Sequence, residues 1–200
     1  FPYTTLFRST SHIILLAKSE KGYKNLIKLS SYGYTEGFYY NPRIDKNLLE
    51  QYSEGLICLS ACIAGEIPKF ILEGKNEEAE KLALYYQELF GKDSFFLEMQ
   101  IHGIKEESVV AKSLVAMSKK LQIPVVATND CHYLKKDDAE AQDILLCIGT
   151  KKKFTDPQRM KFHGDAFYFK TEEEMEKIFG EIPKALSNTQ LIAEMCNLNI

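Results

Sequence analysis

The sequence predicts an α/β fold organised around a largely parallel sheet or barrel. Two features carry that reading. From residue 11 onward, short apolar runs alternate with longer stretches of helical period, the pattern of βα units. Three of the runs, at residues 55–60, 95–101 and 124–129, are followed in turn by helical segments, giving three consecutive βα units. A 45% hydrophobic and 26% charged composition over 200 residues supplies enough apolar surface for one domain with a substantial core.

The first nine residues, "FPYTTLFRS", show neither helical nor strand periodicity and resemble a translated sequencing adapter. They are expected to be a foreign segment at the head of a fragment, with native sequence from about Thr10. "HIILLAK" then reads as a buried strand. "SEKGYKNLIKLSSYG" reads as a helix with Ser19 as N-cap and Gly33 near its stop. The aromatic segment "GFYYNPRID" is extended and ends on Asp45, which can cap "KNLLEQYS". "GLICLS" is a strand, "GEIPKFILEG" a short helix, and a strong helix starts at Asn76 and stops at Gly91. Strand "FFLEMQI", helix "EESVVAKSLVAMSKKL", strand "PVVATN" and helix "DDAEAQDILLCIG" follow. Residues 151–170 are loop-rich, punctuated by Pro157 and Gly164, with one short aromatic strand. Two helices close the chain, the first opened by a Thr171/Glu174 capping box and the second carrying Pro183 in its first turn.

Composition excludes several classes. A net charge of -3 gives no global basic excess, so contact with nucleic acid requires a local patch. Five cysteines, odd in number and without a CxxC pair, fit a reduced, cytoplasmic protein. No apolar run reaches the length of a membrane span.

In parallel βα architectures functional residues gather at the C-terminal ends of strands, because the following loops share one face. Here three successive strands end on potential ligands: Cys62 after "GLICLS", His102 after "FFLEMQI", and Asp130 with His132 after "PVVATN". Residues two apart in extended chain point the same way, so Asp130 and His132 can converge on one ion. The same alternation puts Phe95, Leu97, Met99 and Ile101 on one face and Glu98, Gln100 and His102 on a polar one. A thiol, imidazoles and a carboxylate favour zinc, or manganese and iron where oxygen dominates. A turn-former beside a surface histidine is the alternative for Asp130 and His132, and Cys62 is read alternatively as a small buried hydrophobe. Cys58, Cys147 and Cys196 are assigned to packing, and Cys131 is expected to face away from Asp130 and His132. His12 and His163 are read as structural. Lys151 to Lys153 form a solvated loop, with a phosphate contact as the alternative.

The stretches "EGFYYNPRID", "EGLICLSACIAGEIPKFILEG", "FFLEMQIHGI", "PVVATNDCHYLKKDDAEAQDILLCI", "FYFKTEEEM" and "NTQLIAEMCN" together resemble the PHP (polymerase and histidinol phosphatase) domain of bacterial DNA polymerase III alpha subunits. The resemblance runs from about Ser11 to the last residue. It implies a partial, distorted (β/α)7 barrel over residues 10–150, the C-terminal portion of the domain. A short helical extension over residues 151–200 would lead towards a polymerase palm. It further implies that Cys62, His102, Asp130 and His132 are ligands of a divalent metal cluster, zinc or manganese, whose remaining ligands lie upstream. Palm aspartates with their magnesium would lie beyond the chain, so no catalytic or other cofactor-binding residue is assigned within it. The implied parent synthesises DNA from deoxynucleotides, with a sliding clamp and a proofreading subunit as partners and no membrane contact. The region itself either hydrolyses phosphodiesters as a 3'-5' proofreading activity or plays a structural part, and this chain alone is expected to be inactive. A stand-alone phosphoesterase such as a histidinol phosphatase, and a non-catalytic scaffold that docks a proofreading subunit, are the alternatives.

Overall fold

A computed structural model describes residues 10–162 and 164–199; the adapter-like segment and His163 lie outside the described residues. The chain forms a mixed α/β layer. Strand β1 is Ile14–Ala17, followed by helices α1 (Glu20–Thr35) and α2 (Lys46–Gln51). Next come β2 (Leu56–Leu59), α3 (Glu66–Leu72), α4 (Asn76–Phe90), β3 (Phe95–Met99), α5 (Lys105–Leu121) and β4 (Val125–Ala127). A 3-10 turn, Lys136–Asp138, leads into α6 (Ala139–Thr150), and α7 (Glu172–Phe179) and α8 (Pro183–Met195) complete the order among the described residues.

The four strands form one sheet in the order β1-β2-β3-β4. β2, β3 and β4 are parallel neighbours, as the βα pattern predicts. β1 departs from it: Ile14 lies opposite Leu59 and Ala17 opposite Leu56, an antiparallel pair. The connection explains the reversal. One helix would return the chain to the starting end of β1, but here α1 and then residues 36–52 make two passes. β2 therefore begins beside the end of β1, where the Lys18 N–H donates to the Gly55 carbonyl at 3.0 Å. Gly22 makes this closure fit, since a Cβ there would stand 1.9 Å from the Gly55 oxygen, itself on backbone with φ of +77°. Gly22→Ala is expected to destabilise the chain by about 1–3 kcal/mol through overpacking, read as a lowered urea midpoint with an unchanged slope.

Local signals account for the helices. The Ser19 side chain accepts from the Gly22 N–H and Asp45 from the Leu48 N–H, each capping its helix. Thr171 and Glu174 form the reciprocal capping box of α7, and Pro183 opens α8. The predicted aromatic strand near residue 168 is reduced to one bridge, Tyr133 with Tyr168.

Both faces of the sheet are buried. On one, Cys58, Phe95, Leu97, Met99, Val125 and Ala127 pack beneath α3, α4 and α5. On the other, Ile57, Leu59, Phe96 and Val126 meet Ile192 of α8, which is tied to the sheet by a 2.7 Å bond from Asn188 Nδ2 to the Val125 carbonyl. Cys58 and Cys147 are buried packing residues, as read from the sequence. Among the described residues no helix is long and apolar enough to cross a membrane.

Candidate metal centre

The C-terminal ends of the three parallel strands each turn sharply on a residue with positive φ: Ala61 at 66° after β2, Gly103 at 89° after β3 and Asp130 at 39° after β4. Two of these are not glycine, and such backbone costs on the order of 1–3 kcal/mol unless its surroundings enforce it. Two of the five non-glycine residues with positive φ among the described residues, Ala61 and Asp130, thus stand where the βα rule puts function.

After β2, the loop presents Cys62, and the partner it meets is His12. The His12 ring Nδ1 lies 3.6 Å from Cys62 Sγ. The antiparallel register brings them together. Extended two residues beyond Ile14 and Leu59, it sets His12 beside the β2 exit, where its N–H donates to the Ala64 carbonyl at 3.0 Å. His12, read from the sequence as structural, thus stands at the candidate centre.

After β4, His132 Nε2 approaches Asp130 Oδ1 at 3.5 Å, both side chains over a third exposed. They meet through the left-handed turn at Asp130 rather than through strand alternation. His132 is also held from its main chain, its N–H donating to the Phe167 carbonyl at 2.8 Å. Cys131 points elsewhere, its thiol directed at the Tyr168 carbonyl at 3.8 Å.

His102 is placed differently from the other predicted ligands. Its ring is buried, with Nδ1 2.7 Å from Glu107 Oε1 and Nε2 2.9 Å from the Asn129 carbonyl. A carbonyl only accepts, so Nε2 carries a proton, and both ring nitrogens are engaged by protein. Burial works against a charged imidazole, but the bonds to Glu107 and to the Asn129 carbonyl prevail and raise its pKa above 6.5. Glu107 responds in the opposite sense. Burial pushes its pKa up, yet bonds from the His102 ring and backbone N–H hold it below 4.5. This geometry leaves His102 no free nitrogen for an ion and makes it a strut beneath Asn129, the neighbour of Asp130. The strut continues outward: Asn129 Nδ2 donates to the Tyr168 carbonyl at 2.8 Å, and Lys170 Nζ donates to Asn129 Oδ1 at 2.8 Å. The Phe167 ring stacks on His102, with centroids 4.3 Å apart and planes 12° from parallel.

Between the loops lies Glu98, on the polar face of β3. Its Oε1 accepts from Thr128 Oγ1 at 2.5 Å and from Gln100 Nε2 at 3.1 Å, while buried Oε2 makes no close hydrogen bond among the described residues, the Ala61 backbone being the one main-chain group that acts on the carboxyl. It borders a cavity of about 10 Å³ with Cys62 and Glu107, near the smallest that holds one water. Burial chiefly raises the Glu98 pKa, and the Asp130 carboxylate adds to the rise. Burial likewise raises the Cys62 thiol, followed by the charges of Asp130 and Glu98. Those influences put Cys62, Glu98 and Asp130 in one electrostatic neighbourhood, where a cation would relieve all three.

The donor set suits a divalent ion in kind: a thiol, two imidazoles and a carboxylate, in two close pairs, near an orphaned carboxylate oxygen. Among the described residues no three histidine, cysteine, aspartate or glutamate side chains already converge on one point. The sequence reading assigned neither His12 nor Glu98 to the centre. The alternation along "FFLEMQI" put Glu98 on the polar face, but nothing in the letters showed that one oxygen would lack a partner.

Comparison with known proteins places the chain among relatives. The family described as PHP domain matches residues 3–102. A DNA polymerase III subunit alpha of Treponema pallidum is 51% identical over 196 residues, covering 98% of this chain and 17% of that protein. One from Borreliella burgdorferi is 52% identical over 192 residues, covering 96% and 17%. One from Campylobacter jejuni is 44% identical over 204 residues, again covering 96% and 17%. The chain therefore spans about a sixth of the length of the curated relatives it matches.

Proposed function

Because this chain belongs to the PHP domain family, we propose that it is the metal-binding domain of a replicative DNA polymerase alpha subunit, with Cys62, His12, Asp130 and His132 holding a divalent ion. The observation that carries the reading is the pairing of His12 with Cys62 after β2 and of Asp130 with His132 after β4, the two strands that flank β3. Near-full coverage of this chain by relatives named DNA polymerase III subunit alpha supports the polymerase setting. The antiparallel-parallel sheet is then part of the wall of the distorted (β/α)7 barrel that the resemblance implies. In the whole protein, DNA and deoxynucleotides are the substrates, with palm aspartates and magnesium outside these residues, and the clamp and proofreading subunit are partners; the setting is cytoplasmic.

A zinc or manganese ion in this pocket would generate a nucleophilic hydroxide near neutral pH and offset phosphate charge. The residues do the rest. The Glu107–His102–Asn129 strut holds the Asp130 turn in place, and Phe167 fixes His132 through its carbonyl. Burial of the Cys62 thiol keeps it protonated until a cation arrives.

Zinc binding to the purified chain tests the assignment. Cys62→Ser, His12→Ala and Asp130→Asn are each expected to weaken zinc by more than about 100-fold, beyond the roughly 10–100-fold typical of outer-shell partners. His102→Gln should fall within that lower range. A Cys62→Ser chain that binds zinc as tightly as the parent sequence overturns the ligand set.

A further inference from the structure

We propose that residues 34–43, the turn leaving α1, form a stacking platform for single-stranded DNA beside the candidate metal centre. The choice of DNA rests on the polymerase reading above; the surface itself is argued from its own geometry. Four large rings within seven residues face water: Tyr34, Phe38, Tyr39 and Tyr40, the last 82% exposed. Folded chains seldom leave that much contiguous aromatic surface uncovered without a partner for it. Tyr34 and Phe38 stack with centroids 6.3 Å apart, Tyr39 and Tyr40 meet edge to face at 4.7 Å, and the Arg43 guanidinium lies 4.9 Å from the Tyr39 ring centre.

The rings are held in place rather than tethered loosely. The Gly37 N–H donates to the Tyr32 carbonyl at 2.9 Å, and the Tyr39 N–H to the Asn41 carbonyl at 3.1 Å. Gly37 lets the return strand of the turn pass, since a Cβ there would stand 1.9 Å from the Arg43 oxygen. At the apex Tyr40 adopts φ of 60°, an outlier for a bulky side chain and one that drives its ring outward. A rigid aromatic surface of this kind loses little entropy when it binds.

Local charge has the sign that phosphates require. From the start of α1 to Lys46 the chain carries Lys21, Lys24, Lys28, Arg43 and Lys46 against Glu20, Glu36 and Asp45, with Lys24 paired to Glu20 and Lys46 to Glu66, in a chain whose net charge is -3. The surface also leads to the metal centre. Lys46 Nζ is 2.9 Å from Glu66 Oε1 at the start of α3, and the preceding Gly65 bridges to His12. A strand with its bases on the rings and its phosphates along Arg43 and Lys46 would be led towards Cys62 and His12. Unstacked bases suit such rings, whereas a duplex already stacks its own.

Fluorescence anisotropy of a labelled oligothymidylate of about 15 nucleotides, with EDTA present, tests this independently of any metal. Tyr40→Ala is expected to weaken binding about tenfold and Tyr40→Phe less than about twofold. Arg43→Gln should reduce the salt dependence by somewhat less than one ion. Because Tyr40 is exposed, the melting temperature of Tyr40→Ala should match the parent and separate lost contact from lost fold. The proposal is overturned if the parent chain fails to bind at low salt, if Tyr40→Ala binds equally well, or if a blunt duplex binds as tightly. Self-association that Tyr40→Ala abolishes, without oligonucleotide binding, would assign the rings to a second copy instead. Zinc affinity measured on the same preparations keeps the two readings apart: unchanged zinc binding with no DNA binding sinks the platform alone, and the reverse sinks the ligand set alone.

Discussion

Glu107→Gln is expected to cost about 3–5 kcal/mol of unfolding free energy, the range for removing one member of a buried ion pair. The side chains of His102 and Glu107 are 1% and 4% exposed. Glu107 accepts from both the ring and the backbone N–H of His102, at 2.7 and 2.6 Å. With the carboxylate gone, a ring that also donates to the Asn129 carbonyl must shed a proton or remain charged and uncompensated. Urea unfolding measures the loss, and a cost below about 1 kcal/mol would show that water reaches the pair. The double substitution His102→Leu/Glu107→Leu should lose less than the two single changes summed, because it leaves no orphaned charge.

The same pair sets a pH window. Glu107, lowered below 4.5, contributes stability that is present above that value and is lost as pH falls through its native pKa. His102, raised above 6.5, contributes stability that is present below that value and is lost as pH rises through its native pKa. The pair therefore stabilises most between 4.5 and 6.5, and Glu107→Gln should flatten the profile on both sides.

Phe167→Ala is the second large effect, about 3–5 kcal/mol for a buried aromatic ring cut back to a methyl. Phe167 is 4% exposed. It covers His102, and its centroid lies 4.7 Å from that of Phe162 and 5.8 Å from that of His132. The cavity left behind removes one ring against which His132 packs while the main-chain bond to residue 167 survives, so zinc should weaken by about tenfold, the low end for a supporting partner, alongside the fall in stability. Phe167→Leu separates the two, since it refills much of the volume without the stacked face. The effects of Glu107→Gln and Phe167→Ala should not add, as both act through His102.

Helix positions and caps were legible in the sequence because they depend on neighbours a few residues away: Ser19, Asp45 and Thr171 cap their helices as read. The direction of β1 was not. Hydrophobic runs carry no arrow, and a parallel β1 would have left His12 at the opposite end of the sheet from Cys62. The reversal brings together two residues 50 positions apart, and with it comes the partner that spacing failed to supply. His102 shows the converse. Alternation along β3 gave the face on which it lies, but its function depends on Glu107 at the start of α5, and strand parity is silent about a helix folded back over the strand end.

The left-handed corners at Ala61, Gly103 and Asp130 bear on the order of events. Loops already bent at Ala61 and Asp130 into a shape disfavoured for those residues would have little backbone folding left to do on binding the proposed ion, so capture would rest on side-chain movement that draws the two pairs together. The backbone tension was met when the polypeptide first folded, by the burial of its interior, and a rim so prepared would let the proposed ion leave and return without the scaffold beneath it having to move.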